Sequence, residues 1–540
     1  MLRFTSKKQL FITYGERSEK QFAEELFKAA EAKFGQGDYT DEAETLSILD
    51  FCYRWLANRF KEIMHSSTDA RFLYYLFANH ESSIHLYYQT AEPDFEKEGI
   101  NTNELSLNRR ILKLAIEQAC DIDYISNKDI DPKIVPGFIA TIEDLLYLGE
   151  RLFGFSEFMA EQRMMENPIE VLIKPNEVKI QRQYHYDQIY HVMEKFFQEG
   201  FSSGLVDNKS VAELRQELKT CMGINYDFAG GQIFKIKEHH SPKAPIFQTI
   251  QREALIQNLI ANGVDEKAAR TFYEGLTISR KNKLSIEDSV YQSGSFKRYM
   301  FRPILMVSID GEERAWVGEE KWQESILVMA TNGFQWQLAP DEWMANECFK
   351  QFLDRKHDEH DKLLEHAVIK ILKDRHIYYR HHITNLTRLN GKVISILKEP
   401  GEIDFIIIDP NVKKILVTDC KYNRARYEMA GFSNDFRGFK NKHEKQIRRK
   451  YDYVRANLQI IKEDFQIIAN MPDIDLSDFA IEEFIIVNTP TFYVLNGVVK
   501  TITIGHLAEF IDEDKYEFGD LTVKDGGEVK LIHRPYFTIQ

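Results

Sequence analysis

The residues best placed to do chemistry lie in GEIDFIIIDPNVKKILVTDCKYN, residues 401–423. Two apolar runs, FIII and ILV, flank Asp409-Pro410-Asn411, whose proline is preset for a tight turn. The first run is apolar on both faces, as a central strand should be. Side chains alternate along a strand, so Asp404 shares a face with Ile406 and Ile408. On the second strand Ile415, Val417, Asp419 and Lys421 share one. Charges on core-facing rows are costly unless they are paired or bind metal. A third carboxylate, Glu365, sits in DKLLEHAVIKILKD. At about 100° per residue it falls inside an arc of Leu364, Ala367, Val368, Ile369, Ile371 and Leu372.

Oxygen donors of this kind suit Mg²⁺ or Mn²⁺, hard cations that need only two or three carboxylates beside water. Such an ion polarises a phosphate and lowers the pKa of a bound water. Lys421 is placed to stabilise charge developing on that phosphate or to orient the water. The backbone carbonyl of Cys420 is a further candidate ligand.

The arrangement resembles the PD-(D/E)XK nuclease superfamily of restriction, repair and antiviral-defence nucleases. Its pattern is a helix glutamate, a strand aspartate, then Asp/Glu-x-Lys on the next strand. By this resemblance Glu365, Asp404, Asp419 and Lys421 take those roles. Ile403 stands where the family usually has proline, and the preceding Glu402 is a rival metal ligand. Gln446, in KNKHEKQIRRKYDYV, corresponds to a polar residue that many members carry on the helix after the lysine strand. Lys442, Lys445, Arg448, Arg449 and Lys450 around it are the candidate nucleic-acid contacts. The resemblance covers about residues 355–490. It implies a Mg²⁺- or Mn²⁺-dependent endonuclease acting on DNA in bacterial restriction or anti-phage defence. RNA cleavage by the same residues, or a non-catalytic nucleic-acid-binding or scaffold subunit, are the alternatives.

The elements that must position these residues follow from pattern. Residues 1–285 read as helical, with Ser18 and Gln21 as a capping box and apolar periodicity in LSILDFCYRWLANRF, LNRRILKLAIEQA, IEDLLYLGERLF and YHVMEKFFQEGF. QREALIQNLIANGVDEKAARTFYEG has helix-turn-helix spacing, but its acidic second helix favours a plain hairpin. A polar stretch from Ile278 reads as a linker or exposed loop. Apolar runs punctuated by Asp310-Gly311 and Asn332-Gly333 predict a small antiparallel sheet over about 298–338. A long helix, broken once, is expected from Asp341 to Lys373. The expected fold is thus α + α/β in three parts. Residues 1–285 form the helical half, 286–345 a β segment and linker, and 346–540 a restriction-endonuclease-like α/β core.

Composition bounds the partners. The net charge of −14 disfavours nucleic-acid binding as a whole-chain property, yet Lys421–Arg455 holds eleven Lys/Arg against four Asp/Glu. No apolar run is long enough for a membrane helix, and the first residues lack a signal-peptide core. Five scattered cysteines without C-x-x-C spacing argue against a disulfide framework or thiolate zinc site, and for a reducing cytoplasm. His357, His360 and His366 read as exposed, and the His239-His240 and His381-His382 pairs as diverging side chains. No phosphate loop occurs, so ATP-driven translocation would need a separate ATPase. The helical half is left as a sensor, an oligomerisation surface or a partner-binding module.

Overall fold

The computed structural model describes residues 2–5, 9–90, 95–127, 132–183, 186, 209–234, 247–424, 426, 428–513, 521–525 and 528–533. The chain divides into two compact units: Met1–Met159, Ile169–Gln181 and Asp207–His357 form the first, and Ala160–Pro168, Arg182–Val206 and Asp358–Gln540 the second. The break expected near 345 thus lies at 357/358 in this division, and the hairpin around Asp310-Gly311 belongs with the helical half. The helical pattern at 190–201 and His239-His240 lie outside the described residues.

The first unit is built largely of helices: α1 (Glu16–Phe34), α2 (Glu42–Ser66), α3 (Ala70–Gln89), α4 (Thr102–Ala119) and the start of α5 (Val135–Met164). Asp41 caps α2 by accepting from the N–H groups of Ala43 and Glu44, and Asn101 caps α4 in the same way. Along α2, Leu49, Leu56, Phe60 and Met64 recur at helical spacing and are buried with Phe22 and Leu26 of α1 and Leu76 of α3. The expected capping box is not formed. The N-cap of α1 is Gly15, and Ser18 lies inside the helix, buried, its hydroxyl donating to Asp144 at 2.7 Å. A tertiary acceptor, held also by Arg17, outcompetes the local one.

A second core packs α6 (Arg252–Ala261), α7 (Glu266–Gly275) and α8 (Glu319–Asn332). The first two make the plain helical hairpin, with Gly263 at φ +85° in the turn and Asp265 capping α7. Arg270 of α7 is paired with Glu253 and Glu266, so it does not present a recognition face. Strand β1 (Phe247–Ile250) pairs with β3 (Glu312–Gly318), which forms a hairpin with β2 (Ile304–Ile309). Asp310 and Gly311 both take positive φ, as the tight hairpin turn requires.

Three expectations fail here. The stretch from Ile278 is no linker: Ile278, Ile286 and Val290 are buried, and Arg298 Nε donates to Glu117 at 2.7 Å in the core. Ser325–Ala330 is helical rather than a strand, and Phe334–Trp336 is a single 3-10 turn. Trp322, Ile326, Met329 and Ala330 have helical spacing and are all buried, and the Glu81 carboxylate accepts from the N–H groups of Glu320 and Lys321 to cap α8. The cysteines are not all free either, because Cys221 and Cys348 form a disulfide across 127 residues with Cα atoms 5.5 Å apart. Odd number and sequence spacing carry no information about such a distant pairing, so the cysteines no longer argue for a reducing compartment. The long helix is broken once, as a short turn at Asp341–Met344 precedes α9 (Glu347–Asp374). Among the described residues no helix is long and apolar enough to cross a membrane.

The second unit holds a five-stranded mixed sheet in the order β4-β5-β6-β7-β8: Tyr378–Ile383, Ile403–Asp409, Lys414–Lys421, Ala480–Val487 and Lys500–Thr503. The first three strands run antiparallel to one another; β7 pairs in parallel with β6, and β8 in parallel with β7. One face (Ile406, Ile408, Ile415, Val417, Ile485) is covered by α10 (Met429–Gly438), α11 (Glu444–Ala456) and α12 (Leu458–Ile468) through Phe436, Ile447, Val454 and Ile461. The other face (Phe405, Ile407, Leu416, Phe484, Ile486) receives Leu364, Val368 and Leu372 of α9 and Phe510 of α13 (Leu507–Glu513). Each fully buried side chain of this size is worth about 1.5–3 kcal/mol. That is what fixes the strand ends where the charged residues sit.

Candidate active site

The β5–β6 register pairs Phe405 with Thr418, so one step further Asp404 stands opposite Asp419. Both face the side covered by α11, as alternation along the strands requires. Asp404 Oδ2 accepts from the backbone N–H of Cys420 at 2.9 Å. Asp419 is fully buried. Lys421 Nζ lies 3.2 Å from Asp419 Oδ2 and 3.9 Å from Asp404 Oδ2. That Asp419 oxygen is buried and receives no hydrogen bond, so Lys421 touches it as an ion pair of poor directional geometry.

A second ammonium completes the cluster. Lys450, 7% exposed, donates to Asp404 Oδ1 at 3.0 Å and to Asp419 Oδ1. This corrects its assignment as a nucleic-acid contact. The signal was present in the sequence, because Lys450 falls between Ile447 and Val454 on the apolar stripe of α11. Glu365 stands inside an apolar arc of its helix in the same way.

The electrostatics divide the two carboxylates. Burial and the neighbouring Asp419 push Asp404 up from the usual carboxylate range. Burial pushes Asp419 up as well, but Lys421 and Lys450 outweigh it and hold Asp419 below that range. Burial would lower Lys450, yet Asp404 and Asp419 overcome it and raise it. Asp419 is thus the firmly ionised member.

Glu365 and Glu402 meet at His382, within electrostatic reach of Asp404. Helix α9 packs on the sheet face opposite to Asp404 and Asp419, and Glu365 meets His382, whose Nε2 lies 2.7 Å from its Oε2. His382 Nδ1 is 2.8 Å from Glu402 Oε1, so one imidazole links both glutamates. The hydrogen bond to Glu402 raises the His382 pKa, with Glu365 and Asp404 adding to it. His382 reaches this position because its φ of +48° interrupts β4, which no periodicity reveals. His381, the other member of the pair, stacks on Phe405. Gln446 sits on α11 beside His443, with Oε1 3.2 Å from its Nδ1. Burial, reinforced by Lys421, brings His443 down to about 4.

The sequence-derived set therefore falls into adjoining groups. Asp404, Asp419, Lys421 and the Cys420 backbone come together, Glu365 and Glu402 are held by His382, and Gln446 pairs with His443. Among the described residues no three His, Cys, Asp or Glu side chains converge on one metal position. The donors of a kind that suits a hard cation are the two facing aspartates; Asp419 Oδ2 receives no hydrogen bond and has Lys421 Nζ 3.2 Å away. Of the remaining basic residues, Lys442 is exposed, and Lys445, Arg448 and Arg449 line a cavity of about 680 Å³. Its wall also holds Glu399, Glu444 and Asp452, and Arg448 pairs with Glu483, so this surface is much less basic than its sequence. His366 is exposed as expected. No family model matches the chain, and neither the curated proteins nor the solved structures contain a match to it.

Proposed function

We propose that the second unit is a metal-dependent phosphodiesterase that cleaves nucleic acid, with DNA as the first substrate to try. The observation that carries this reading is the facing pair Asp404 and Asp419 with Lys421 beside them, at neighbouring strand ends and below a partly basic helix. Asp404, Asp419 and the Cys420 carbonyl would hold Mg²⁺ or Mn²⁺, which supplies polarisation of a phosphate and a bound water of lowered pKa. Lys421 places a positive charge next to the carboxylates, where negative charge grows on a phosphate under attack. His382 fixes Glu365 and Glu402 at the same end of the sheet, as a positioning group. A place in restriction or anti-phage defence rests on the PD-(D/E)XK resemblance alone, and a cytoplasmic location and a homo-oligomer, sensor or ATPase partner rest on the sequence alone. One observation favours a second reading, a nucleic-acid-binding scaffold without catalysis: two ammoniums already neutralise the two aspartates.

The test is cleavage of linear DNA, circular DNA and RNA by the purified chain with Mg²⁺, Mn²⁺ or EDTA, beside Asp419→Ala and Lys421→Ala. Metal-dependent products lost in both variants support the proposal and identify the substrate. Equal activity in the variants sinks the site, and binding without any cleavage favours the scaffold.

A further inference from the structure

Lys450 occupies a position that a simple structural ion pair would not need. Its ammonium contacts one oxygen of each aspartate, Oδ1 in both, while Lys421 lies nearest the two Oδ2 atoms. The two Oδ1 atoms both lie within hydrogen-bond reach of one cation, whereas Lys421 is 3.9 and 3.2 Å from the two Oδ2 atoms, so a divalent ion held by both carboxylates would draw on the oxygens that Lys450 holds. Two cations cannot share those oxygens in a poorly solvated site without strong repulsion. The apolar neighbours Ile447 and Val454 fix the face of α11 from which Lys450 points, but its stem is long and flexible. The ammonium is therefore the movable part and the carboxylates the fixed part.

We propose that Lys450 is a built-in counter-ion that holds the divalent-cation position between Asp404 and Asp419 and must leave it before metal can bind. The inference rests on the metal reading of those aspartates. It assigns Lys450 a positioning role: it keeps two facing carboxylates together without metal, and it sets how much metal is needed. A phosphate brought in with the substrate offers the displaced ammonium a new partner, so metal and nucleic acid should bind more tightly together than singly.

Mn²⁺ binding to the full chain, read as loss of the free-ion signal by electron paramagnetic resonance without nucleic acid, tests this. Lys450→Met should bind Mn²⁺ at least about tenfold more tightly than wild type, Lys450→Arg should stay near wild type, and Asp419→Asn should lose binding. A Lys450→Met protein that binds no more tightly than wild type overturns the proposal. A second readout needs no variant: amine acylation followed by peptide mass spectrometry should find Lys450 protected without metal and reactive at saturating Mn²⁺. Continued protection at saturation also overturns it. If neither wild type nor Lys450→Met takes up Mn²⁺, the metal reading falls and this inference with it. If Lys450→Met binds more tightly while no nucleic acid is cleaved, the counter-ion stands and only the phosphodiesterase reading fails.

Discussion

Each unit buries a cluster of carboxylates and ammoniums, and the two clusters are arranged in opposite ways. In the first unit Glu324 of α8 is a single acceptor surrounded by Arg109 and Lys113 of α4 and Lys321, with Lys113 Nζ at 3.2 Å and Lys321 Nζ at 2.5 Å. Burial would raise Glu324, but these three cations hold it well below the usual range. The strain falls on the cations instead, and burial brings Lys113 down to about 7. In the second unit two carboxylates face each other and share two ammoniums, and Asp404 is raised while Asp419 is lowered. A carboxylate outnumbered by cations is saturated and closed, which suits a structural anchor between helix middles. The paired carboxylates are matched one to one by ammoniums and leave one oxygen without a hydrogen bond, the arrangement on which the proposed site rests. Buried charge alone does not separate the two clusters; the ratio of cations to carboxylates does.

The contrast can be broken in several places. Asp419→Ala and Lys421→Ala should each lower metal-dependent cleavage by on the order of 10²–10³-fold or more in initial rates, while Glu324→Ala leaves the rate per folded molecule near wild type. Glu324→Ala should instead cost about 3–5 kcal/mol in urea unfolding, since it leaves three cations facing one another. A loss under about 1 kcal/mol would mean that the first cluster is not closed. Gly318→Ala acts on the same unit through backbone approach: a Cβ there would lie 2.1 Å from the Glu81 carboxylate that caps α8. A loss of about 1–3 kcal/mol is expected, read from the urea midpoint. The smallest effect is on pH dependence. Burial, aided by Lys113, holds the fully buried His80 well below its ordinary value of 6.5. The unfolded chain takes up that proton below about pH 6.5 and the folded chain does not, so stability is full above this pH and declines below it. The slope for one proton is about 1.4 kcal/mol per pH unit, and His80→Phe should flatten it in melting curves taken between roughly pH 5 and 7.

How much was legible depended on how far each residue's determinant lies along the chain. The β5–β6 pair, the Asp310-Gly311 turn and the α6–α7 hairpin follow from neighbours a few residues away, and the structure has them. The Ile326–Val328 run carries strand propensity, yet it is helical because the cap of α8 comes from Glu81, 239 residues from the Glu320 N–H that it accepts. Lys450 is readable from its stripe on α11, but its basic neighbours Arg448 and Arg449 make the segment look like a surface.

The sequence by itself determined that Asp404 and Asp419 end core-facing rows of adjacent strands, since a period of two fixes the face of every residue once the strand is known. It also determined that Glu365 lies on the packed side of its helix. Only the tertiary structure decided which charges meet. Helix α9 covers the face away from the aspartates, and His382 takes Glu365 through a backbone turn that sequence pattern does not encode. Helix α11 brings Lys450 onto both carboxylates across the sheet. Period and propensity are local and survive in the chain as written. The partner of a buried charge is chosen by whichever element packs over it, and that choice exists only once the core has formed.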